Sequence, residues 1–394
     1  MISLLFTIFL FCAALQGAAL ATKAPSCASN AFILPSSDNL CSSATESDGS
    51  LGATELHMHV QELTARRDSV PSFRARVRKR AAPARPSAQP ATAPHMFERR
   101  TESPVRRARD PNQKLGTFVR QWGRSDTFFL LSSASFALDS SGEQLFVADG
   151  KRLQVFRTAD GSLVREFSGE ALVDFRPLAI ASDTMRDLLV VEDLGHPFVR
   201  VFRTDGSLAY EWNHHQFMYA MGFAVHPRQD IVFVVEQGNH RIEVVDLDGS
   251  LINSIGMEGT GNGQFKLPVA VAVHPTKEWL FVTDCENSRV QIFDVGAGGG
   301  QFIGNFGSPG SGPGQFRCPE GIALHPVDDL VYVADPENHR IQVFRHNGTF
   351  VQSWGVEGSN LGEFRYPTSL ALHPFEDILF VGDQSNRRVQ VYRA

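Results

Sequence analysis

Short apolar runs recur along the chain from Gly116 onward, and each run ends in an acidic residue. The acidic residues are spaced by 44, 43, 48, 51 and 48 positions. Self-similarity at a period of this length is typical of a repeat architecture. The six runs are LFVAD (145–149), LVVED (189–193), VFVVE (232–236), LFVTD (280–284), VYVAD (331–335) and LFVGD (379–383).

Each repeat contains four short segments rich in Val, Ile, Phe and Tyr, a composition that favours β-strands. In the fifth repeat they are GIALHP (321–326), LVYVAD (330–335), RIQVF (340–344) and GTFVQSWG (348–355). Asp-Gly or Asn-Gly pairs typical of two-residue hairpin turns separate the third and fourth segments in four repeats. Each repeat therefore predicts a four-stranded antiparallel meander.

The second segment of each repeat is apolar on both faces, as expected of a strand covered on both sides. Six such sheets packed against their own copies describe an all-β fold, the six-bladed β-propeller. A β-sandwich is the structural rival, but it does not predict six equal copies.

The first strand-like phrase, GTFVRQWG (116–123), differs at two positions from GTFVQSWG (348–355), a fourth segment. The last repeat shows only three segments before Ala394. We therefore predict that strand 116–123 completes the last blade. This closure would remove two exposed sheet edges.

Residues 1–21 read as a secretory signal peptide, because an apolar run from Ile2 leads into small residues ending at Ala21. The alternative is an uncleaved membrane anchor, since Gln16 is the one strongly polar residue in the run. We predict cleavage and a secreted or luminal protein, with no other membrane contact.

Residues 22–113 are rich in Arg, Pro and Ala, and we predict a disordered leader before a propeller spanning 114–394. Lys79-Arg80 ends a basic run that a dibasic protease could cleave, although a solvated basic tail explains it equally well. Residues 111–394 hold 23 basic and 34 acidic side chains, a net −11. That charge argues against a nucleic-acid partner.

Four cysteines follow the signal segment, an even number that suggests disulfides in an oxidising compartment. Their distribution favours Cys27 with Cys41 and Cys285 with Cys318, although pairing cannot be read from sequence. The alternative is four free thiols.

The fourth to sixth repeats resemble the NHL repeat. They read GQFKLPVAVAVHP…FVTDCENSRVQIF, GQFRCPEGIALHP…YVADPENHRIQVF and GEFRYPTSLALHP…FVGDQSNRRVQVY. The resemblance covers about 280 residues, 116–394, and implies a six-bladed propeller.

Polar residues recur at equivalent loop positions, and a residue needed once for chemistry would not recur in most blades. We therefore predict that they are structural: Asp and Asn bond loop amides, and Arg ties adjacent blades through carboxylates. The HP turns at His226, His274, His325 and His373 are interpreted in the same way. The recurring residues are Asp149, Asp193, Glu236, Asp284, Asp335, Asp383, Asn239, Asn287, Asn338, Asn386, Arg241, Arg289, Arg340 and Arg388.

An enzyme is the first functional alternative. The amidating lyase that resembles NHL propellers holds zinc through histidines just after the Pro of the repeat. Here those positions are Leu178, Val269, Glu320 and Thr368, so the resemblance implies no such site. A different metal site could use His196, His214, His215 and His240. We expect no catalysis, no metal and no cofactor.

A binding module remains, because propeller loops suit the display of variable side chains to a partner. Three irregular loops of consecutive blades carry apolar and aromatic groups, which favour a protein or peptide partner. The alternative is repeat decay, with these groups packed as core. We expect a monomer, with Asn347 as a glycosylation acceptor. The candidate partner-binding residues are Phe128, Phe129, Phe217, Met218 and Tyr219.

Overall fold

Six antiparallel sheets of four strands each make up the described part of this computed structural model. The described residues are 114–123, 136–167, 172, 174–196, 198–213 and 220–394. The predicted six-bladed propeller of four-stranded blades is confirmed. The signal segment, the leader, Cys27, Cys41, Lys79 and Arg80 lie outside the described residues.

Blades 1 to 3 follow one another along the chain. Blade 1 contains β2 (Phe136–Leu138), β3 (Gln144–Ala148), β4 (Leu153–Arg157) and β5 (Leu163–Phe167). Blade 2 contains β6 (Pro177–Asp183), β7 (Leu188–Asp193), β8 (Phe198–Arg203) and β9 (Leu208–Asn213). Blade 3 contains β10 (Ala220–Val225), β11 (Ile231–Glu236), β12 (Arg241–Asp246) and β13 (Leu251–Ile255).

Blades 4 and 5 repeat this order, and blade 6 combines both ends of the described chain. Blade 4 contains β14 (Pro268–Val273), β15 (Trp279–Asp284), β16 (Arg289–Asp294) and β17 (Gln301–Phe306). Blade 5 contains β18 (Ile322–Leu324), β19 (Leu330–Asp335), β20 (Arg340–Arg345) and β21 (Phe350–Trp354). Blade 6 contains β22 (Pro367–Leu372), β23 (Ile378–Asp383), β24 (Arg388–Arg393) and β1 (Phe118–Gly123).

The strand 118–123 closes the ring as predicted. β1 pairs antiparallel with β24, with Trp122 opposite Val389 and Gly123 opposite Arg388. A bulge between Phe118 and Arg120 shifts the register by one residue. In each of the other sheets the fourth strand forms the outer edge. β1 occupies this position in blade 6, whose other three strands come from the sixth repeat.

The hydrophobic core is divided among the blade boundaries. Each of six apolar clusters combines side chains from two adjacent blades, including the pair formed by blades 6 and 1. The second strands β7, β11, β19 and β23 are buried at every residue. This burial explains their two-sided apolar pattern, because each lies between neighbouring sheets.

The glycine and the aromatic residue of the repeated phrase meet across blade boundaries. Gly249, in the hairpin turn of blade 3, has a φ of +87° and lies against Trp212, the end of the fourth strand of blade 2. A Cβ at Gly249 would lie 2.5 Å from the indole ring. Gly116 meets Trp354 in the same way, which explains why one phrase carries both residues.

Candidate functional site

We name the two sides of the propeller by its inner strands. The upper face is the side where the first strand of each blade begins, and the lower face is the side where it ends. On the upper face, loops 256–267, 307–321 and 355–366 lead into the first strands of blades 4, 5 and 6. Short 3₁₀ turns between the second and third strands lie beside them, such as Cys285–Asn287 and Pro336–Asn338.

The loop that leads into blade 4 is held by one buried carboxylate. Asp284 is fully buried, and its Oδ2 accepts hydrogen bonds from Asn287 Nδ2 (2.9 Å) and Arg289 Nε (2.8 Å). Asn287 also donates to the Gly259 carbonyl (2.9 Å), and Arg289 donates to the Gly261 carbonyl (2.7 Å). The network fixes the loop, since buried donors and acceptors are costly to leave unpaired.

The same bonds recur in blades 5 and 6. There too the guanidinium pairs with the Asp of its own blade and with carbonyls of the loop leading into that blade. The expectation that these Arg side chains tie adjacent blades through carboxylates is therefore wrong, because loop carbonyls take the remaining N–H groups. The residues that form the network are Asp335, Asn338, Arg340, Asp383, Asn386 and Arg388.

Blades 1 and 3 keep a reduced form of the network. Asp149 accepts from Arg152 Nε at 2.9 Å, in a shorter turn without the Asn. Glu236 accepts from Arg241 Nε at 2.6 Å and also pairs with Asn239. The acidic residue thus holds the turn even where the repeat pattern departs from the other blades.

The proposed histidine metal site is not assembled by the described residues. His196 Nδ1 lies 3.0 Å from Asp193 Oδ2, in the position that Asn takes in other blades. His240 Nδ1 accepts the N–H of Leu267 at 3.0 Å. Within the described residues, neither belongs to a group of three or more metal-ligand side chains. The other two candidates, His214 and His215, lie outside the described residues.

Apolar side chains are exposed on the loops that the buried network holds. Met257 is 62% exposed, Val356 is 63% exposed and Leu361 is 63% exposed. Beneath them, the N–H of Phe265 donates to the Met257 carbonyl (2.8 Å), and the fully buried Phe364 makes the same bond to Val356 (2.9 Å). The upper face thus presents apolar groups on a hydrogen-bonded support. The sequence candidates Phe128, Phe129, Phe217, Met218 and Tyr219 lie outside the described residues.

A disulfide crosses the boundary between blades 4 and 5 on the upper face. Cys285 begins the 3₁₀ turn of blade 4, and Cys318 lies 33 residues later in the loop leading into blade 5. Both are buried and pack with Val269 at the start of the inner strand β14. The predicted pairing of Cys285 with Cys318 is confirmed.

Blade 5 has a carboxyl group where blade 4 has Val269. Glu320 is 6% exposed, and burial together with the charge of Glu337 raises its pKa to about 8. Burial, followed by the charges of Glu320 and Glu337, also raises the pKa of Tyr366. The three groups therefore interact electrostatically at the upper end of the boundary between blades 5 and 6.

The four positions that follow the Pro of the repeat are all buried, but their chemistry differs. Leu178 and Val269 are apolar, whereas Glu320 and Thr368 are polar. The hydroxyl of Thr368 is buried and has no hydrogen-bond partner in the described part of the protein. None of the four is histidine, the residue that holds zinc at this position in the amidating lyase.

A cavity lies toward the lower end of the axis. Its volume is about 260 Å³, and inner-strand residues of five blades line it. Phe136, Ile180, Phe223, Leu324 and Leu370 are among them. Polar residues, among them Asp139 and Ser182, also line it, so the cavity is of mixed polarity.

The HP turns tie adjacent blades on the lower face. The Nδ1 atoms of their histidines accept backbone N–H groups of their own turns, which confirms the turn-building interpretation. His226 Nε2 also lies 2.6 Å from Glu278 of the next blade, and His325 Nε2 lies 3.4 Å from Asp377. These contacts with the neighbouring blade could not be predicted from the sequence, because the spacing of a turn carries no information about the blade beside it.

A second cluster missed from sequence joins blades 4 and 5 on the lower face. His274, Asp329 and His346 place ligand-type atoms within 4.8 Å of one another. His346 Nδ1 lies 2.9 Å from Asp329 Oδ1, and Lys277 Nζ lies 2.5 Å from the same oxygen. Burial, then the charges of His346 and Lys277, lowers the pKa of His274 to about 4.

The protons of this cluster oppose a bound metal ion. His274 Nδ1 accepts the N–H groups of Thr276 and Lys277, both at 3.1 Å, so the neutral ring carries its proton on Nε2. A histidine ligand needs a lone pair on the nitrogen that faces the metal. The Lys277 ammonium also pairs with Asp329, the carboxylate that a metal ion would need. We interpret the cluster as a hydrogen-bonded tie between blades.

Comparisons with known proteins agree with this fold. A family model of the NHL repeat matches residues 316–344, within loop 307–321 and blade 5. The match covers most of one blade and agrees with the resemblance of the fourth to sixth repeats to the NHL repeat. No curated protein gives a significant match. Within the described residues, no helix has the length and apolar character needed to cross a membrane.

Solved structures include a similar chain of Kuenenia stuttgartiensis hydrazine synthase. The identity is 13% and the TM-score is 0.48, over 68% of this chain and 98% of that chain. At this level of similarity the comparison carries no argument about function.

Proposed function

We propose that this chain is a non-catalytic propeller that binds a protein or peptide partner through its upper face. The observation that carries the proposal is the exposure of Met257, Val356 and Leu361 on loops held by buried hydrogen bonds. Apolar groups on a preorganised support bind with a small loss of conformational entropy. Methionine is also enriched at protein interfaces.

The partner test compares two sets of substitutions. Met257→Ser, Val356→Ser and Leu361→Ser together remove the apolar groups of the upper face. Val327→Ser and Leu251→Ser are the control, because these residues are 67% and 59% exposed elsewhere on the protein. Tagged proteins are incubated with the native extracellular fraction, and captured proteins are quantified by mass spectrometry. The proposal expects the triple variant to lose partners that the control retains. Equal capture by both would contradict it.

We also propose that the protein works in the secretory pathway or outside the cell. The disulfide Cys285–Cys318 is compatible with an oxidising compartment, and the signal-like segment 1–21 agrees with it. Asn347 and Thr349 are exposed in a hairpin turn, so a glycosylation enzyme could reach them. Sequencing the mature N-terminus and mass spectrometry of the Asn347 peptide test the compartment. A start near Thr22 or a glycan at Asn347 is expected, and a retained Met1 together with an unmodified Asn347 would argue against secretion.

The proposal includes no bound metal, cofactor or nucleic acid, and it treats the protein as a monomer. Elemental analysis of the purified protein tests the first point, because stoichiometric zinc or copper would contradict it. Filter binding of RNA at physiological salt tests the partner class, since the propeller region carries a net negative charge.

A further inference from the structure

The boundary between blades 5 and 6 has polar groups where the boundary between blades 4 and 5 has a valine and a disulfide. The sequences that lead into these blades align as FRCPEG (316–321) and FRYPTS (364–369), so Tyr366 takes the position of Cys318. In blade 4 the residue after the Pro is Val269, which packs against the disulfide that joins blades 4 and 5. In blade 5 it is Glu320, which interacts electrostatically with Tyr366 of the next blade. Val269 is thus the apolar equivalent of Glu320 and serves as an internal comparison.

The carboxyl of Glu320 has no bonding partner within the described residues. It is 6% exposed, and no hydrogen bond or ion pair of its side chain occurs there. Burial disfavours the charged form of this carboxyl group, a penalty that the Val of blade 4 does not carry. A cationic ligand that pairs with the carboxylate would offset this penalty.

The groups around Glu320 indicate that the ligand is positively charged. Glu337 adds a second carboxylate whose charge acts on both Glu320 and Tyr366. The next inner strand lies close, since a Cβ at Gly321 would lie 2.0 Å from the Thr368 carbonyl oxygen. Two carboxyl groups and a phenol suit a cation that donates hydrogen bonds.

We propose that Glu320 binds an alkylammonium or guanidinium group, supplied by a Lys, an Arg or the N-terminus of the protein partner. This inference rests on the proposed function, because it names the chemistry by which the upper face recognises its partner. Without ligand, Glu320 is mostly protonated at neutral pH, since its pKa is raised to about 8. Binding of the cation therefore releases a proton to solvent, and the ionised carboxylate then pairs with the ammonium.

The chemistry can be tested without knowing the partner, with n-butylammonium chloride as the probe. A ligand this small makes few contacts, so binding is followed by calorimetry at high probe concentration. We expect saturable binding with proton release, seen as a dependence on the ionisation enthalpy of the buffer. Sodium chloride and n-butanol are the controls for charge and for the alkyl chain.

Variants of the full chain separate a site at Glu320 from general attraction to an acidic protein. Glu320→Gln keeps the shape of the side chain, and Glu320→Val installs the residue of blade 4. Both should weaken butylammonium binding roughly tenfold or more, as expected when a buried partner charge is lost. Glu286→Gln, at the exposed position equivalent to Glu337, should leave binding unchanged. Equal binding by wild type and Glu320→Gln, or no saturable binding by wild type, would overturn the inference.

A last arm separates this inference from the proposed function. If butylammonium binds at Glu320 and also competes with the captured partner, the ligand group comes from that partner. If it binds at Glu320 without competing, a protein source is excluded and the inference fails in that part. Failure of the proposed function is seen separately, as equal capture by the Met257, Val356 and Leu361 variant.

Discussion

Arg388 donates a hydrogen bond of 2.9 Å to Gln121, a residue 267 positions earlier in the chain. The guanidinium is fully buried and also pairs with Asp383 through Nε at 2.6 Å. Its remaining N–H groups donate to loop carbonyls, including that of Glu363. One buried cation thus joins the closing strand β1 to the loop network of the upper face. The closure of the ring and the loop support are therefore parts of one structure.

The first prediction concerns this closure. Gln121→Ala should lower the free energy of unfolding by about 1–3 kcal/mol, since it removes the acceptor of a buried charged donor. Chemical denaturation measures the loss. Ser353→Ala is the matched control, because Ser353 occupies the same position in blade 5 and is exposed.

Deletion of 116–123 should destabilise the whole ring. A deletion variant with unchanged melting temperature and solubility would exclude the closure as a source of stability.

The second prediction concerns the loop network of blade 4. Asp284→Asn should destabilise the protein by about 3 kcal/mol or more, because it leaves the Arg289 guanidinium without its buried carboxylate. Urea denaturation checks the value. The control is Asp160→Asn, since the Arg157–Asp160 pair is exposed on both sides and its loss should leave the midpoint unchanged. Similar effects of the two substitutions would argue against a supporting role for the network.

The third prediction is a dependence of stability on pH. The folded pKa of Glu320 lies above its ordinary value of 4.5, so between pH 4.5 and 8 the folded state holds a proton that the unfolded state has released. Wild-type stability therefore falls as pH rises through this window, by roughly 1.4 kcal/mol per pH unit from this group. Glu320→Gln cannot ionise and should gain relative stability toward pH 8, with little gain at pH 4.5. Parallel stability curves for the two proteins would contradict this.

The fourth prediction concerns the disulfide. Cys285→Ser with Cys318→Ser should lower the free energy of unfolding by about 3–4 kcal/mol, the value expected for a closed loop of this length. Thermal unfolding with and without reductant provides the measurement. Reductant should lower the melting temperature of wild type toward that of the double variant and should leave the variant itself unchanged. If wild type is insensitive to reductant under unfolding conditions, the disulfide makes no contribution.

The fold could be predicted from sequence because its determinants are local and repeated. The period of the acidic residues gave the number of blades, and the match between 116–123 and 348–355 gave the closing strand. The ion pair of Arg200 was not predicted. Its Nε lies 3.1 Å from Asp193 Oδ2, but the repeat pattern has no Arg at this position. A compensating residue of this kind is recognised only when the folded turn shows which groups meet.

The candidate site was less predictable, because it depends on how blades differ and not on what they share. In the sequence, Glu320 stands out only because it occupies a position where the amidating lyase has a zinc-binding His. Its burial and its closeness to Tyr366 arise from the packing of two blades. The same holds for His274 and His346, which lie 72 residues apart and meet at 4.6 Å between ring centres.

The central claim, that a partner binds the upper face, is tested most directly by site-specific photocrosslinking. A benzoylphenylalanine is placed at Val356 on the upper face and, in a second protein, at Val327 on the lower face, two sites of similar exposure. Both proteins are irradiated in the native extracellular fraction, and the adducts are identified by mass spectrometry. A discrete adduct should form from position 356 and be absent from position 327. Adducts from position 327 alone, or equal adducts from both, would contradict it.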